Sequence, residues 1–413
     1  MKSFSIKRIL SAVLALSFAM LALSGCGLFS TRLSYMFKPE PTLPETNEPK
    51  QVTSNRLEAY NSYGYESLSD EMKTAYNTLD KYINLDYSEG FTVYGDNEDD
   101  FLNVLEAYEI DHPEVFWLDA STRYSYIEGE GSYQVFLTFT LEGDKLKKAK
   151  QNLEAKVGGI LNDMPESATD YELELYINDY LIDNCEYDKK NAQRHNAYGA
   201  LVDGKAVCDG YSKAFQLLCN RIGLECVGIE GTAVDFNVAN GESSDGHMWN
   251  CVKIGGEWYH VDVTWNDSGD HIQHYLYLNL TTEEIANDHT ISPLYGGEDS
   301  DDYDFLNVFV PECNATQYNF FNHDCVTLKD LNDDDEVIAA IIKAARNGEE
   351  YVHIYIDESL DYDEVDRAIE DRYGYTWFDA ANYYNNDNPK ISPVGTYYTY
   401  DTIRAVTFEL EYE

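Results

Sequence analysis

Two strand-like runs, Met248–Ile254 and Glu257–Val263, are separated only by Gly255-Gly256. A Gly-Gly loop of two residues supplies the positive φ angles of a tight hairpin, so the flanking strands must be antiparallel neighbours in a defined register. Pairing Ile254 with Glu257 sets Trp249 opposite Asp262 and His247 opposite Thr264. Side chains alternate between faces with a period of two. His247, Trp249, Cys251, Trp258, His260 and Asp262 therefore share one face, and Val252, Ile254, Val261 and Val263 share the other, which suits a core. His247 and Asp262 become diagonal neighbours, with Cβ atoms somewhat under about 7–8 Å apart. A slip of one residue would send them to opposite faces.

Upstream, Tyr211, Ala214, Phe215, Leu218 and Ile222 recur at helical spacing, and Gly223 is a natural stop. Cys208 sits at the first turn of that helix. Unpaired amides and the positive dipole end favour an anionic sulfur there. The Cys208 amide is also placed to help bind a carbonyl oxygen as its charge develops, with Tyr198 or Asn196 as a second donor. A thiol nucleophile needs a base, and the base needs a group that holds its ring. Cys208, His247 and Asp262 supply these types in that order. His260 shares the hairpin face and is the rival base. His271 and His274 beside Asp270 raise a metal site, but His-x-x-His without a glutamate motif is not a zinc-hydrolase pattern. No metal and no cofactor are expected.

The N-terminus has its own logic. Lys2, Lys7 and Arg8 precede the apolar run Ile9–Leu23, which is short for a membrane span. Leu23-Ser24-Gly25-Cys26 resembles the lipobox of bacterial lipoproteins, which implies cleavage before Cys26 and acylation of its thiol. An uncleaved anchor is the alternative. Either way the body of the chain is expected outside the cytoplasm, held at a membrane. The eight cysteines agree with this. With Cys26 and Cys208 set apart, Cys185, Cys219, Cys226, Cys251, Cys313 and Cys325 form an even remainder that permits disulfides without demanding them. The net charge of −46 argues against nucleic acid as a partner. The 35 tyrosines fit half-buried strand positions.

These signals divide the chain. Residues 1–25 are a signal peptide, and 26–52, with Pro39, Pro41, Pro44 and Pro49, are an extended tether. Residues 53–165 form an α+β region with helices marked by Met72, Tyr76, Leu79 and Ile83 after the cap Ser69, by Phe101, Val104, Leu105 and Tyr108, and by Leu146, Ala149, Leu153, Val157 and Ile160. Its expected strands are 115–118, 123–127 and 133–141, with a hairpin turn at Gly129 and Gly131. Residues 166–312 hold the candidate triad, and the acidic stretch Glu298–Asp304 is an exposed loop. Residues 325–413 form a small α/β unit with a helix over Val337–Ala345 capped by Gly348, a strand over Tyr351–Ile356, a helix over Val365–Ile369 and a closing strand over Ala405–Tyr412.

Gly204-Lys205-Ala206-Val207-Cys208-Asp209-Gly210-Tyr211-Ser212-Lys213-Ala214-Phe215, Gly246-His247-Met248-Trp249-Asn250 and Trp258-Tyr259-His260-Val261-Asp262-Val263-Thr264-Trp265 closely resemble bacterial transglutaminase-like proteins. These belong to the superfamily that unites transglutaminases with papain-like proteases. His274-Tyr275-Leu276-Tyr277-Leu278 also looks like a segment that follows the aspartate in that group. The resemblance covers about 170–290. It implies an α+β, papain-like core with the nucleophile helix packed on an antiparallel sheet. It implies Cys208 as nucleophile, His247 as general base and acid, and Asp262 as the group orienting His247. Trp249 and Tyr211 are the expected substrate contacts. The chemistry implied is a thioester resolved by an amine or by water. The expected substrate is a protein or peptide at the cell surface, cell-wall peptide included. A binding module on the same fold without turnover is the rival from another class. Calcium activation does not follow, because the flanking regions are unlike those of animal transglutaminases.

Overall fold

A computed structural model describes residues 62–413, apart from 95–97, 120–122, 128–130, 235–245, 268–270, 295–306, 333, 370–373, 387, 393–395 and 402. The expected signal peptide, Cys26, the tether, Asp270 and the acidic stretch Glu298–Asp304 lie outside the described residues. The chain divides into two compact units, with 48–320 in one and 321–413 in the other. The regions expected at 53–165 and 166–312 thus lie in a single unit.

That unit begins with α1 (Tyr63–Ser67) and α2 (Asp70–Asn84). Ser69 caps α2 by accepting the Met72 amide, and Ala75, Tyr76, Leu79 and Ile83 form its buried stripe. β1 (Phe91–Tyr94), α3 (Glu98–Asp111), β2 (Arg123–Ile127), β3 (Ser132–Phe136) and α4 (Gly143–Asp163) follow. The strands make an antiparallel sheet in the order β1-β3-β2. Leu146, Ala149, Leu153, Val157 and Ile160 are the buried face of α4, as the periodicity predicts. The strand expected over 115–118 is absent. This segment forms turns, with the Val115 amide donating to His112 O and the Phe116 amide to Glu114 O, and makes one bridge, Leu118 to Phe139.

α5 (Asp170–Asn184) opens with a reciprocal capping box between Thr169 and Glu172. Two short parallel strands, β4 (Glu186–Tyr187) and β5 (Lys205–Ala206), then lead into α6 (Cys208–Ile222). The main sheet runs β8-β7-β6-β9 with every neighbour antiparallel, from β6 (Cys226–Ala233), β7 (His247–Ile254), β8 (Glu257–Val261) and β9 (His289–Ile291). Gly255 and Gly256 take φ of 61° and 93°, and Ile254 pairs with Glu257. The hairpin register is therefore the predicted one. β8 nevertheless ends at Val261, two residues early. Asp262 caps the short helix α7 (Val263–Asn266), so Thr264 never faces His247.

The sheet is covered on both faces, whereas the alternation predicts one core face. α6 lies on one side, where the Ser212 hydroxyl donates to Trp249 O and Asn250 Nδ2 donates to Ser212 O. On the other, Trp249, Cys251, Val227 and Ile229 pack with Leu280, Ile285, Cys313 and Phe309. α3 is joined to α6 by the buried bond from Gln216 Nε2 to Ile110 O, 2.7 Å, and α4 by the ion pair of Glu154 with Arg221.

In the 321–413 unit, β10 (Val326–Leu328), α8 (Asp335–Asn347) and β11 (Tyr351–Ile356) make a parallel crossover. α9 (Tyr362–Ala368), α10 (Gly374–Tyr384), β12 (Tyr397–Tyr400) and β13 (Ala405–Glu409) complete a sheet ordered β10-β11-β13-β12. Val337, Ile338, Ile341, Ile342 and Ala345 fill its core against Ile354, Ile356, Trp377 and Phe408. Among the described residues, no helix is long and apolar enough to cross a membrane.

Candidate active site

Cys208 is the first residue of α6 and is half-buried. Its predecessor Val207 occupies the cap position in extended backbone and has no acceptor side chain, and within the first turn the Gly210 amide donates to Asp209 Oδ1 at 3.0 Å. His247 opens β7, and Asp262 follows the last residue of β8. The hairpin register brings these ends together. His247 Nε2 lies 2.6 Å from Asp262 Oδ2, and the Cys208 thiol is near enough to His247 to help raise its pKa. With Nε2 on Asp262, Nδ1 is the nitrogen left for the sulfur.

The helical turn after Asp262 contributes directly. Asp262 Oδ1 accepts the Trp265 amide at 3.2 Å, which holds the carboxylate at a fixed angle while Oδ2 faces the imidazole. A strand continued to Val263 would lack that amide. The Trp265 ring lies 5.9 Å from the His247 ring and 4.6 Å from that of His289. It thus helps wall off the buried His247–Asp262 pair.

The electrostatics follow from this burial. Burial pushes His247 down, but the Asp262 charge, its hydrogen bond and then Cys208 carry it up to about 10. Burial opposes the charge of Asp262, yet the His247 charge and the hydrogen bonds from His247 and His289 hold its carboxyl well below the usual range. An ionised Asp262 beside a protonated His247 can stabilise a sulfur anion and store a proton for a leaving group.

One member of this site is not legible in the sequence. His289, in β9, puts Nε2 3.1 Å from Asp262 Oδ2 and Nδ1 2.6 Å from Asp288 Oδ1. It arrives through the pairing of His289 with Ala233, a contact that no local pattern announces. Tyr187 is also near, since its phenol is pushed up by burial and by the charges of Cys208, Asp209 and Asp262.

Other expectations change. Trp249 and Tyr211 cannot be substrate contacts, because both side chains are buried. The Trp249 indole N–H donates to His260 Nδ1 at 3.1 Å, and the Tyr211 hydroxyl lies 2.6 Å from Asp267 Oδ2 and 2.9 Å from Cys185 O. Asn196 and Tyr198 are engaged away from the sulfur: Asn196 Nδ2 donates to Gln193 Oε1, and the Tyr198 hydroxyl accepts from Asn152. His260 is occupied at both nitrogens, by Trp249 on one side and Thr282 on the other, and so gives way to His247 as the base candidate.

Two groups of described residues bring three ligand atoms within 4.8 Å, namely Cys251–His260–Cys313 and His247–Asp262–His289, and neither contains His271 or His274. In the first, His260 Nδ1 already accepts the indole N–H, and Cys251 Sγ lies 3.1 Å from the same nitrogen. The seven described cysteines, Cys185, Cys208, Cys219, Cys226, Cys251, Cys313 and Cys325, are free thiols.

The model of the transglutaminase-like superfamily matches residues 160–263, the span from the end of α4 through the candidate triad. Human kyphoscoliosis peptidase is 32% identical over 125 residues, 28% of this chain and 18% of that protein. Its mouse counterpart is 32% identical over 110 residues, 25% of this chain and 17% of that protein. The chain thus spans under a fifth of the length of these curated relatives. Among solved structures, one described as a TGase covers 37% of this chain and 46% of its own, at 15% identity and a TM-score of 0.25. A candidate cysteine protease from Cytophaga hutchinsonii covers 45% and 71%, at 15% identity and a TM-score of 0.24.

Proposed function

We propose that this chain, whose residues 160–263 match the model of the transglutaminase-like superfamily, is an extracytoplasmic, membrane-anchored thiol acyltransferase or hydrolase acting on protein or peptide amides. The observation that carries the reading is the 2.6 Å pairing of His247 with Asp262, with the half-buried Cys208 thiol close enough to the same imidazole to help raise its pKa. Cys208 Sγ attacks the carbonyl carbon of a glutamine side-chain amide or a peptide bond. The C–N bond breaks, and His247 delivers its proton to the departing nitrogen. The resulting thioester is attacked by a lysine amine or by water, whose proton passes to His247 as the sulfur leaves. Nothing enters or leaves beyond the two amines, or the amine and water. The Cys208 amide, at the start of α6, is the backbone donor that serves the developing oxyanion in this reading.

The test is labelling of Cys208 with iodoacetamide across pH, together with mass spectrometry of the adduct formed in a native envelope extract. A thiol activated by His247 reacts below the ordinary thiol range, near about 8.5. Cys208→Ala should abolish the adduct and keep the far-ultraviolet spectrum. An inert Cys208, or labelling of the variant at the same site, overturns the assignment and favours a binding module. The identity of the adduct also separates cell-wall peptide from other protein donors.

The anchoring half of the proposal rests on Lys2, Lys7 and Arg8, the apolar run and Leu23-Ser24-Gly25-Cys26. Cys26→Ser should stop incorporation of a labelled fatty acid and release the chain from washed membranes. Unchanged incorporation would end the lipid assignment.

A further inference from the structure

Asp262 has one more partner than a thiol triad requires. Its Oδ2 faces His247 Nε2 at 2.6 Å and His289 Nε2 at 3.1 Å, while Oδ1 takes the Trp265 amide. The far nitrogen of His289, Nδ1, lies 2.6 Å from Asp288 Oδ1. Asp288 is held in turn by the Tyr277 hydroxyl, which donates to its Oδ2 at 2.7 Å.

An ionised carboxylate accepts hydrogen bonds and cannot donate them. A ring with both nitrogens on carboxylates satisfies both only when each carries a proton. The His289 side chain is fully buried, and the rings of Trp249, Trp265 and Tyr277 lie 5.0, 4.6 and 5.6 Å from its own, so water is poorly placed to replace either partner. Burial pushes His289 down, but its bonds to Asp262 and Asp288 and the Asp262 charge raise it overall.

Building on the reading of Cys208 and His247 as nucleophile and base, we propose that His289 is a positioning residue: an imidazolium fixed between Asp262 and Asp288 that orients the Asp262 carboxylate and offsets part of its charge. Its consequence is at His247. A buried carboxylate with no second cation would hold the His247 proton too firmly for transfer to a leaving amine. The His289 ring, 5.3 Å from that of His247, opposes this as a like charge. The series then reads sulfur, imidazole, carboxylate, imidazole, carboxylate, and proton affinity at the second member is set partly by the fourth.

The other titratable groups facing this series are Tyr187, Asp209 and Tyr277. All three, and Cys208, are retained in the variants below, so a difference between variants isolates His289 and Asp288.

The experiment is nitrogen NMR of the full-length chain carrying ¹⁵N-histidine, titrated through the neutral and alkaline range and assigned by single histidine replacement. His289→Gln keeps an N–H for Asp262 and removes the charge. Asp288→Asn leaves His289 in place and removes one of its carboxylates. In the unaltered protein His289 should carry both ring protons at neutral pH. In His289→Gln the His247 titration should move to higher pH, corresponding to about tenfold tighter proton binding, the lower end of like-charge effects at this range. In Asp288→Asn, His289 should lose its second proton at lower pH, and His247 should again move upward. A neutral His289 in the unaltered protein, or an unmoved His247 in a folded His289→Gln variant, overturns the proposal. Should His289→Gln fail to fold, an unmoved His289 in Asp288→Asn overturns it instead. A role in packing alone would shift neither titration. Iodoacetamide labelling keeps the two readings apart: an inert Cys208 with shifted titrations sinks only the catalytic reading, and a reactive Cys208 with unshifted titrations sinks only this one.

Discussion

His247 shows how one side chain links chemistry to stability. Its pKa in the folded chain is raised to about 10 despite burial, through Asp262 and then Cys208. A raised value means that the folded state binds the proton more tightly than the unfolded chain does, where histidine titrates near about 6.5. The stabilisation is therefore full below about 6.5, falls as pH rises between the two values, and is gone above the folded one. Denaturant midpoints of the wild type and His247→Gln should differ most in mild acid and converge toward pH about 10. A gap that stays constant across that range would contradict the pairing. At this scale the sequence is informative where a short turn sets the geometry. Gly255-Gly256 suffices to place His247 near Asp262. It says nothing of Trp249, whose aromatic ring suits a groove equally well until Leu280, Ile285 and Cys313 are seen to cover it.

At the scale of elements, β9 matters more than its three residues suggest. It pairs with the end of β6, with Ala233 opposite His289 and Gly231 opposite Ile291. Gly231 has no side chain because none fits: a Cβ there would lie 2.1 Å from Thr290 O and 2.8 Å from the Trp249 ring. Gly231→Ala should therefore push β9 off the sheet edge and cost about 1–3 kcal/mol, the usual range for overpacking. Urea denaturation reads the loss, and the His289 signals should shift with it. Full stability in Gly231→Ala would mean that β9 is not seated as described. Amphipathic helices such as α4 and α8 are readable from periodicity alone, because a helix with one apolar stripe has a single way to bury it. Short segments such as β1, β9 and the turns at 113–117 are not, since a few residues adopt whichever ladder or turn their distant partners offer.

At the scale of the whole molecule, 75 acidic residues face 29 basic ones. Self-repulsion of that size opposes compaction, and added salt screens it beyond a Debye length of about 10 Å at 0.1 M. Raising sodium chloride should raise the thermal midpoint, and a midpoint that falls would mean that local ion pairs such as Glu154–Arg221 outweigh the net field. The sequence alone determined the helix that begins at Cys208, the hairpin register and the apolar stripes that pack them, because these depend on spacing within a few turns of chain. Tertiary structure decided what lies across the sheet and at its edge. It buried Trp249 and Tyr211, turned Asp262 from a strand residue into a helix cap, and brought His289 to the Asp262 carboxylate. Those outcomes depend on which remote segments share a surface, and that is settled by packing both faces of the sheet at once rather than by the pattern along any one strand.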